Sequence, residues 1–331
     1  MKKIGIIGAG SWGTALAILL GTKGYSVKIW DLDKTLITGL KKDKENKRYL
    51  PGVRLSENTT VCDELCEAVR GTEAVLFSVP SQHFRSALNS AVPYLKENMV
   101  IINVAKGIEQ KTLLRMSEIA CEIIPGSRYV ALSGPSHAEE VARFLPTTVA
   151  AASSDVKAAE YVQDLFMTYR FRVYTNHDVA GVEFGGSLKN IIALGAGISD
   201  GMGYGDNAKA AMMTRGIAEM ARLGVKFGAL EKTFAGLTGI GDLIVTCTSE
   251  HSRNRRCGIM IGQGVKPGEA VKKVGMVVEG IYTAEAAYEL AERAGVEMPI
   301  TESIYGVINE KIGSQEAVDN LMKRTRKHES V

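Results

Sequence analysis

The stretch "GIIGAGSWGTALAILL" near the start of the chain restricts its fold more than any other feature. Gly8, Gly10 and Gly13 stand in G-x-G-x-x-G spacing, with the β-branched run "KIGII" before them and a long apolar helical pattern after. Such a run reads as strand, tight turn and helix. Gly8 suits the turn, Gly10 opens the backbone to a diphosphate, and Gly13 lets helix and strand pack closely. The diphosphate would rest on the helix N-terminus, where free N–H groups and the dipole favour an anion. The signature is that of a dinucleotide site in an α/β sheet.

The chain up to about residue 175 supplies that sheet. Short apolar runs, "KIGIIG", "SVKIWD", "AVLFSV", "MVIINVA", "RYVALSG", "TTVAAA" and "FRVYT", alternate with helical patterns such as "DVKAAEYVQDLFM". Strands buried on both faces and separated by helices form a mainly parallel, doubly wound sheet. Beyond "NHDV" at residues 176–179 the apolar positions keep a helical period and strand patterns cease. The expected architecture is therefore α/β, a Rossmann-type sheet domain at 1–178 followed by an all-α domain at 179–331. The tail "KRTRKHESV" reads as solvated and frayed.

Composition narrows the function classes. Net charge is only +3, so bulk electrostatics do not call for nucleic acid or a membrane surface. No apolar run approaches a membrane span, and the glycine-broken N-terminus does not read as a signal peptide. A cytoplasmic protein is expected. The five cysteines are scattered, and Cys62 and Cys66 lack the second pair that a zinc site needs. They read as reduced helix cysteines, and no metal is expected.

The polar clusters carry the chemistry. Asp31 ends the second strand at about the 20-residue spacing expected of an acid that accepts from a ribose 2′-OH. An acid there repels a 2′-phosphate and leans toward NAD over NADP, although Lys34 is close and Asp31 also suits a simple turn. Lys106 in "NVAKGIE" follows a strand, where ligands of open α/β sheets bind; a surface loop lysine is the other reading. "LSGPSHAEE" offers Gly134, Ser136 and Ala138 to a ligand, or merely starts a helix with Ser136 near its cap. His137 there reads as a structural hydrogen-bonder. Asp242 in "GIGDLIV" is either a helix N-cap or the buried partner of a cation. "SRNRR" presents Ser252, Arg253 and Asn254 in a form that suits phosphate oxygens, a solvated basic turn being the alternative. Lys189 in "FGGSLKN" is unusual. Its helical neighbours Gly185, Gly186, Ile192 and Ala193 carry no charge, so it either snorkels to water or is held in a cleft.

"GAGSWGTALA", "VAKGIE", "SGPSHAEE", "GGSLKNIIALGAGISDGMGYGDNAKAAMMTRGIAEM", "GDLIVTCTSEHSRNRRCG" and "VVEGIYTAE" occur in this order. Together they resemble bacterial-type NAD(P)-dependent glycerol-3-phosphate dehydrogenase, over nearly the whole chain. The resemblance implies interconversion of dihydroxyacetone phosphate and sn-glycerol 3-phosphate for phospholipid synthesis, at a cleft between the domains of a homodimer. It implies coenzyme contacts at Ser11, Trp12, Lys106, Ala138, Arg253, Val277 and Glu279. Substrate contacts fall on Lys106, Gly134, Ser136, Lys189, Asp242, Ser252, Arg253 and Asn254. Lys189 matches the family's catalytic lysine, and Asn190 and Thr246 match active-site positions. Trp30-Asp31-Leu32 lacks the basic residue that many members carry after the second strand, in agreement with the lean toward NAD. Lys189 would exchange the proton, with Gly185, Gly186 and Ser187 leaving room for substrate and nicotinamide. Two other readings share the fingerprint: a ketopantoate reductase-like enzyme acting on a carboxylate, and a non-enzymatic nicotinamide-binding sensor.

Overall fold

The structure, a computed structural model, describes residues 2–326, 328 and 329. Among the described residues ten strands form: β1 Lys3–Ile7, β2 Ser26–Trp30, β3 Glu45–Asn46, β4 Leu50–Arg54, β5 Thr59–Val61, β6 Ala74–Phe77, β7 Val100–Asn103, β8 Arg128–Ser133, β9 Thr147–Ala152 and β10 Phe171–Asn176. Eight of them make one sheet in the order β10-β9-β8-β7-β6-β1-β2-β5, while β3 and β4 pair separately. Every neighbouring pair in the large sheet is parallel except β8 with β9. The order reverses about β1, which has β2 on one side and β6 on the other. That switch point opens a crevice at the carboxyl ends of β1 and β6, where ligands of doubly wound sheets bind.

All seven expected strands are present; the central Ala74–Phe77 and Val100–Asn103 are buried throughout, while Phe171–Asn176 at the sheet edge alternates between buried and exposed positions over its first four residues. The sequence reading passed over β3, β4 and β5. They lie in a charged stretch, "KKDKENKRYLPGVRLSENTTV", whose short runs carry no clean alternation. Cys62 directly follows β5 and only Cys66 is helical, so the expected one-turn helical pair does not form. All five cysteines are free thiols.

After Asn176 the described elements are helical. The helix Val179–Gly201 is the axis of this half, buried from Gly181 to Ser199 with scarcely an exposed face. Asp178 caps it by accepting from Gly181 N at 2.8 Å. Around it pack Asp206–Lys226, Arg253–Gly262 and Glu279–Ala294. A Cβ at Gly197 would lie 2.1 Å from the Arg255 carbonyl oxygen, and one at Gly258 equally close to that of Leu194. Backbone therefore meets backbone, and Arg253 and Asn254 are drawn against the stretch that carries Lys189 and Asn190. Of the tail, Lys323–Arg326, His328 and Glu329 are exposed. Lys327, Ser330 and Val331 lie outside the described residues. Among the described residues no helix is long and apolar enough to cross a membrane.

Candidate active site

The glycine loop fits a dinucleotide diphosphate. Gly8 has φ +102°, and a Cβ there would lie 2.4 Å from the Ser78 carbonyl oxygen. At Gly13 a Cβ would collide with the Gly8 carbonyl oxygen at 2.0 Å, whereas Gly10 faces open space within 4 Å. Gly10 is the N-cap of the helix Ser11–Thr22, with no side-chain cap and no acid in the first turn. The free N–H groups at Ser11 and Trp12 thus meet no protein anion, which is the chemistry a diphosphate needs.

Asp31 stands beside this loop but is already engaged there: its Oδ2 accepts from Ala9 N at 2.6 Å and its Oδ1 from Asp33 N at 3.0 Å. Lys34 does not face the loop. It donates to the Asp63 carbonyl at 2.6 Å and to Glu64 at 2.9 Å. Sequence reasoning missed Asn46, which is fully buried and donates to the Ala9 carbonyl at 2.7 Å and to Thr14 Oγ1 at 2.8 Å. A single Asn among lysines and glutamates gave no signal, since its role depends on β3 folding over the loop.

Lys189 does not snorkel. Its side chain is 7 % exposed, and its ammonium donates to Asp242 Oδ1 and, at 2.8 Å, to Thr246 Oγ1. Asp242 is 1 % exposed and starts the helix Asp242–Thr248; of the two expectations, buried cation partner is the one realised. Its Oδ2 accepts from Lys106 Nζ at 2.8 Å, and Lys106 also donates to the Gly134 carbonyl at 3.0 Å. One carboxylate thus bridges two ammonium groups. An ammonium has three donors, so Lys189 and Lys106 each keep one N–H that no acceptor among the described residues holds.

The electrostatics follow from this packing. Burial lowers the Lys189 pKa; Asp242 opposes the shift and Lys106 adds to it, and the value falls to about 7. Burial by itself would raise the Asp242 carboxyl, but Lys106 and Lys189 outweigh it and hold the group below its ordinary value. Burial, and then the charge of Lys189, lower the pKa of His137, whose buried Nε2 has no partner among the described residues.

The two glycines before Lys189 do not leave room for ligands, contrary to the sequence expectation. A Cβ at Gly185 would sit 2.4 Å from the Thr238 carbonyl oxygen, and one at Gly186 would sit 2.7 Å from Ser133 Oγ. The chain itself fills both spaces. On one side the π-turn Leu237–Gly241 closes in and delivers Asp242; on the other, the end of β8 and the Lys106 stem close in.

The phosphate-type cluster is assembled next to this. Ser252 caps the helix Arg253–Gly262 by accepting from Arg255 N at 3.2 Å. Asn254 is not free: it donates to Asn190 Oδ1 at 2.9 Å and accepts from Gly280 N at 2.8 Å. Arg255 turns away and pairs with Asp200 at 2.7 Å. Burial lowers the Arg253 pKa against the pull of Glu279 and Glu139, and none of the described residues forms a hydrogen bond or ion pair with its guanidinium. Ser136 donates to the Gly134 carbonyl at 2.9 Å, and the cap of the short helix Ala138–Val141 is His137 rather than Ser136. Val277 is half-buried just ahead of Glu279, which accepts from Ser81 N at 2.9 Å and from Ser81 Oγ at 2.6 Å. Another residue that the sequence reading passed over is Glu183. It accepts from Ser117 N at 2.8 Å, Tyr129 OH at 2.7 Å and Arg115 at 3.1 Å, and so ties the Val179–Gly201 helix to the sheet.

A doubly wound sheet with an open phosphate loop, and a helical half that brings a buried lysine to it, together define a two-lobed nicotinamide-dinucleotide oxidoreductase. The comparisons are specific within that class. Residues 3–159 match the family described as NAD-dependent glycerol-3-phosphate dehydrogenase N-terminus, and residues 178–319 match its C-terminus. The chain is 52% identical to glycerol-3-phosphate dehydrogenase [NAD(P)+] of Clostridium perfringens over 331 residues, 100% of each chain. It is 54% identical to the enzyme of that name from Moorella thermoacetica over 99% of this chain and 98% of the relative. The crystal structure of glycerol-3-phosphate dehydrogenase from Coxiella burnetii superposes with a TM-score of 0.95 at 38% identity, covering 98% of this chain and 99% of that one. The chain belongs to the NAD-dependent glycerol-3-phosphate dehydrogenase family.

Proposed function

We propose that this chain interconverts dihydroxyacetone phosphate and sn-glycerol 3-phosphate with NAD(P)H, supplying glycerophospholipid synthesis, as a cytoplasmic homodimer. The boundary between its dinucleotide-binding and catalytic domains falls at residues 178 and 179. The observation that carries the reading is the buried Lys189–Asp242–Lys106 arrangement with one unengaged N–H on each lysine. The two related readings, a carboxylate reductase and a silent sensor, lack support from relatives that are over 50% identical along the full chain.

The loop Gly8, Gly10, Ser11, Trp12 and Gly13 holds the diphosphate, with Asp31, Ala138, Val277 and Glu279 along the rest of the coenzyme. When bound, the dinucleotide supplies hydride chemistry at the carbonyl carbon. Lys189 donates the proton to the carbonyl oxygen in reduction and takes it back in oxidation. A pKa near 7 lets it do both at working pH. Asp242 and Thr246 fix the direction of the amine, and Asn190 stands next to it in the helix. Lys106 directs its unengaged N–H at the same oxygen and stabilises developing charge. Arg253, with Ser252, Gly134, Ser136 and Asn254, holds the phosphate, so binding energy remote from the carbonyl orients it.

Asp31 leans the coenzyme preference to NAD, because a 2′-phosphate would meet its carboxylate. A steady-state assay with dihydroxyacetone phosphate, run with NADH and with NADPH and repeated on Lys189→Ala, tests substrate, coenzyme and amine together. Loss of the general acid is expected to lower kcat by about 10²–10⁴. Near-normal turnover of Lys189→Ala, or turnover of ketopantoate in place of the ketose phosphate, removes the reading.

A further inference from the structure

Glu279 opens the helix Glu279–Ala294 on the helical lobe, yet both of its carboxylate oxygens are held by one residue of the sheet lobe. Ser81 follows β6 at the switch point and is fully buried. Its backbone N–H reaches Glu279 Oε1 at 2.9 Å and its hydroxyl reaches Oε2 at 2.6 Å. Two parallel donors on two carboxylate oxygens fix the plane of the group as well as its place.

The surroundings lock Ser81 in turn. A Cβ at Gly107 would fall 2.2 Å from Ser81 Oγ, so the residue next to Lys106 is moulded around this hydroxyl. Gln82 donates to the Ile108 carbonyl at 2.8 Å and accepts from Gln110 N at 3.0 Å, bracing the same loop. Around the carboxylate stand Arg253 and His83 as charged or titratable neighbours. Burial raises the pKa of Glu279, while the Ser81 donors and the Arg253 charge work against that rise. Arg253, which has no hydrogen-bonded partner among the described residues, therefore faces a carboxylate whose direction Ser81 sets.

We propose that Ser81 is a positioning residue of the coenzyme site, holding the Glu279 carboxylate across the gap between the lobes so that it is aimed before the coenzyme arrives. The proposal rests on the reading of Glu279 as a coenzyme contact. Ser81 acts through Glu279 and not on the coenzyme itself, so removal of the hydroxyl has no effect once the Glu279 carboxylate is removed altogether.

Equilibrium titration of NADH by its fluorescence, on the full chain, reads this without turnover. Ser81→Ala is expected to weaken NADH binding about 5- to 10-fold, less than the full worth of one bond to a charged group because the Ser81 N–H still holds the other carboxylate oxygen. The KM for NADH rises with it, while the KM for dihydroxyacetone phosphate and kcat at saturating NADH stay within about twofold. The double variant Ser81→Ala with Glu279→Ala, in which no side chain is left at 279 to position, is expected to bind NADH no more weakly than Glu279→Ala alone. Additive losses, or unchanged NADH binding by Ser81→Ala, overturn the proposal while leaving Glu279 as a contact. Wild-type binding by Glu279→Ala overturns both. Should Ser81→Ala fail to fold, as judged by thermal melting, Ser81→Cys, which fills the space with only a weak donor, takes its place in the cycle.

Discussion

Replacement of Asp242 by Asn tests the electrostatic core of the site, because the side chain keeps its shape while its charge disappears. The three largest influences on the Lys189 ammonium are burial, which lowers its pKa, Asp242, which raises it, and Lys106, which lowers it, with a net value of about 7. Of these three, the Asp242→Asn variant would keep only the two that lower it. An opposite charge at contact distance is worth about 1–3 pKa units, so the midpoint should move acidic by at least about one unit. At pH 7 the protonated fraction of Lys189 then falls from about one half to about one tenth, which by itself slows ketone reduction about fivefold. The assay is kcat/KM for reduction of dihydroxyacetone phosphate at saturating NADH, followed from about pH 5.5 to about pH 9 in both proteins. The substrate phosphate also titrates near pH 6, but equally in both, so the difference between the profiles isolates the lysine. In the wild type the reductive rate should fall as pH rises through about 7, and the oxidative rate should rise through the same value. An alkaline limb that stays in place in the variant, or moves to higher pH, refutes the argument that Asp242 holds the proton on Lys189.

Three further outcomes are expected. Gly185→Ala forces a methyl against the Thr238 carbonyl, where only 2.4 Å is available, so the π-turn must shift and carry Asp242 with it; a loss of about 1–3 kcal/mol in thermal melting and a lower kcat are expected. Arg253→Ala should raise the KM for the phosphate substrate tenfold or more, the order of one charge-assisted bidentate contact, with little change in melting because the guanidinium forms no bond with the described residues. Burial raises the Glu219 pKa to about 7 although Ile300 N, Thr301 N and Thr301 Oγ1 donate to it. Its folded pKa lies above the unfolded value, so its contribution is fully present below about pH 4.5 and is lost as pH rises through about 7, a change of about 3 kcal/mol. Melting of Glu219→Gln should therefore vary less between about pH 5 and about pH 8 than that of the wild type.

Features that depend on neighbours along the chain were legible without a structure. Gly8, Gly10 and Gly13 dictate a turn and a helix start whatever else folds around them, and the buried runs at Ala74–Phe77 and Val100–Asn103 dictate strands of a two-faced sheet. The polar blocks around Lys106, Asp242 and Arg253 stood out as candidates for the same reason. Their mutual relations did not. Lys189 meets no charge on its own helix, and its partner Asp242 lies 53 residues away; Lys106 reaches the same carboxylate from 136 residues away. Gly185 and Gly186 look like space for a ligand when read locally, yet Thr238 and Ser133 occupy it, because how closely two backbones approach is fixed only when the helix docks. The lowered pKa of Lys189 is likewise a product of tertiary burial, since desolvation requires the whole lobe to close over the amine.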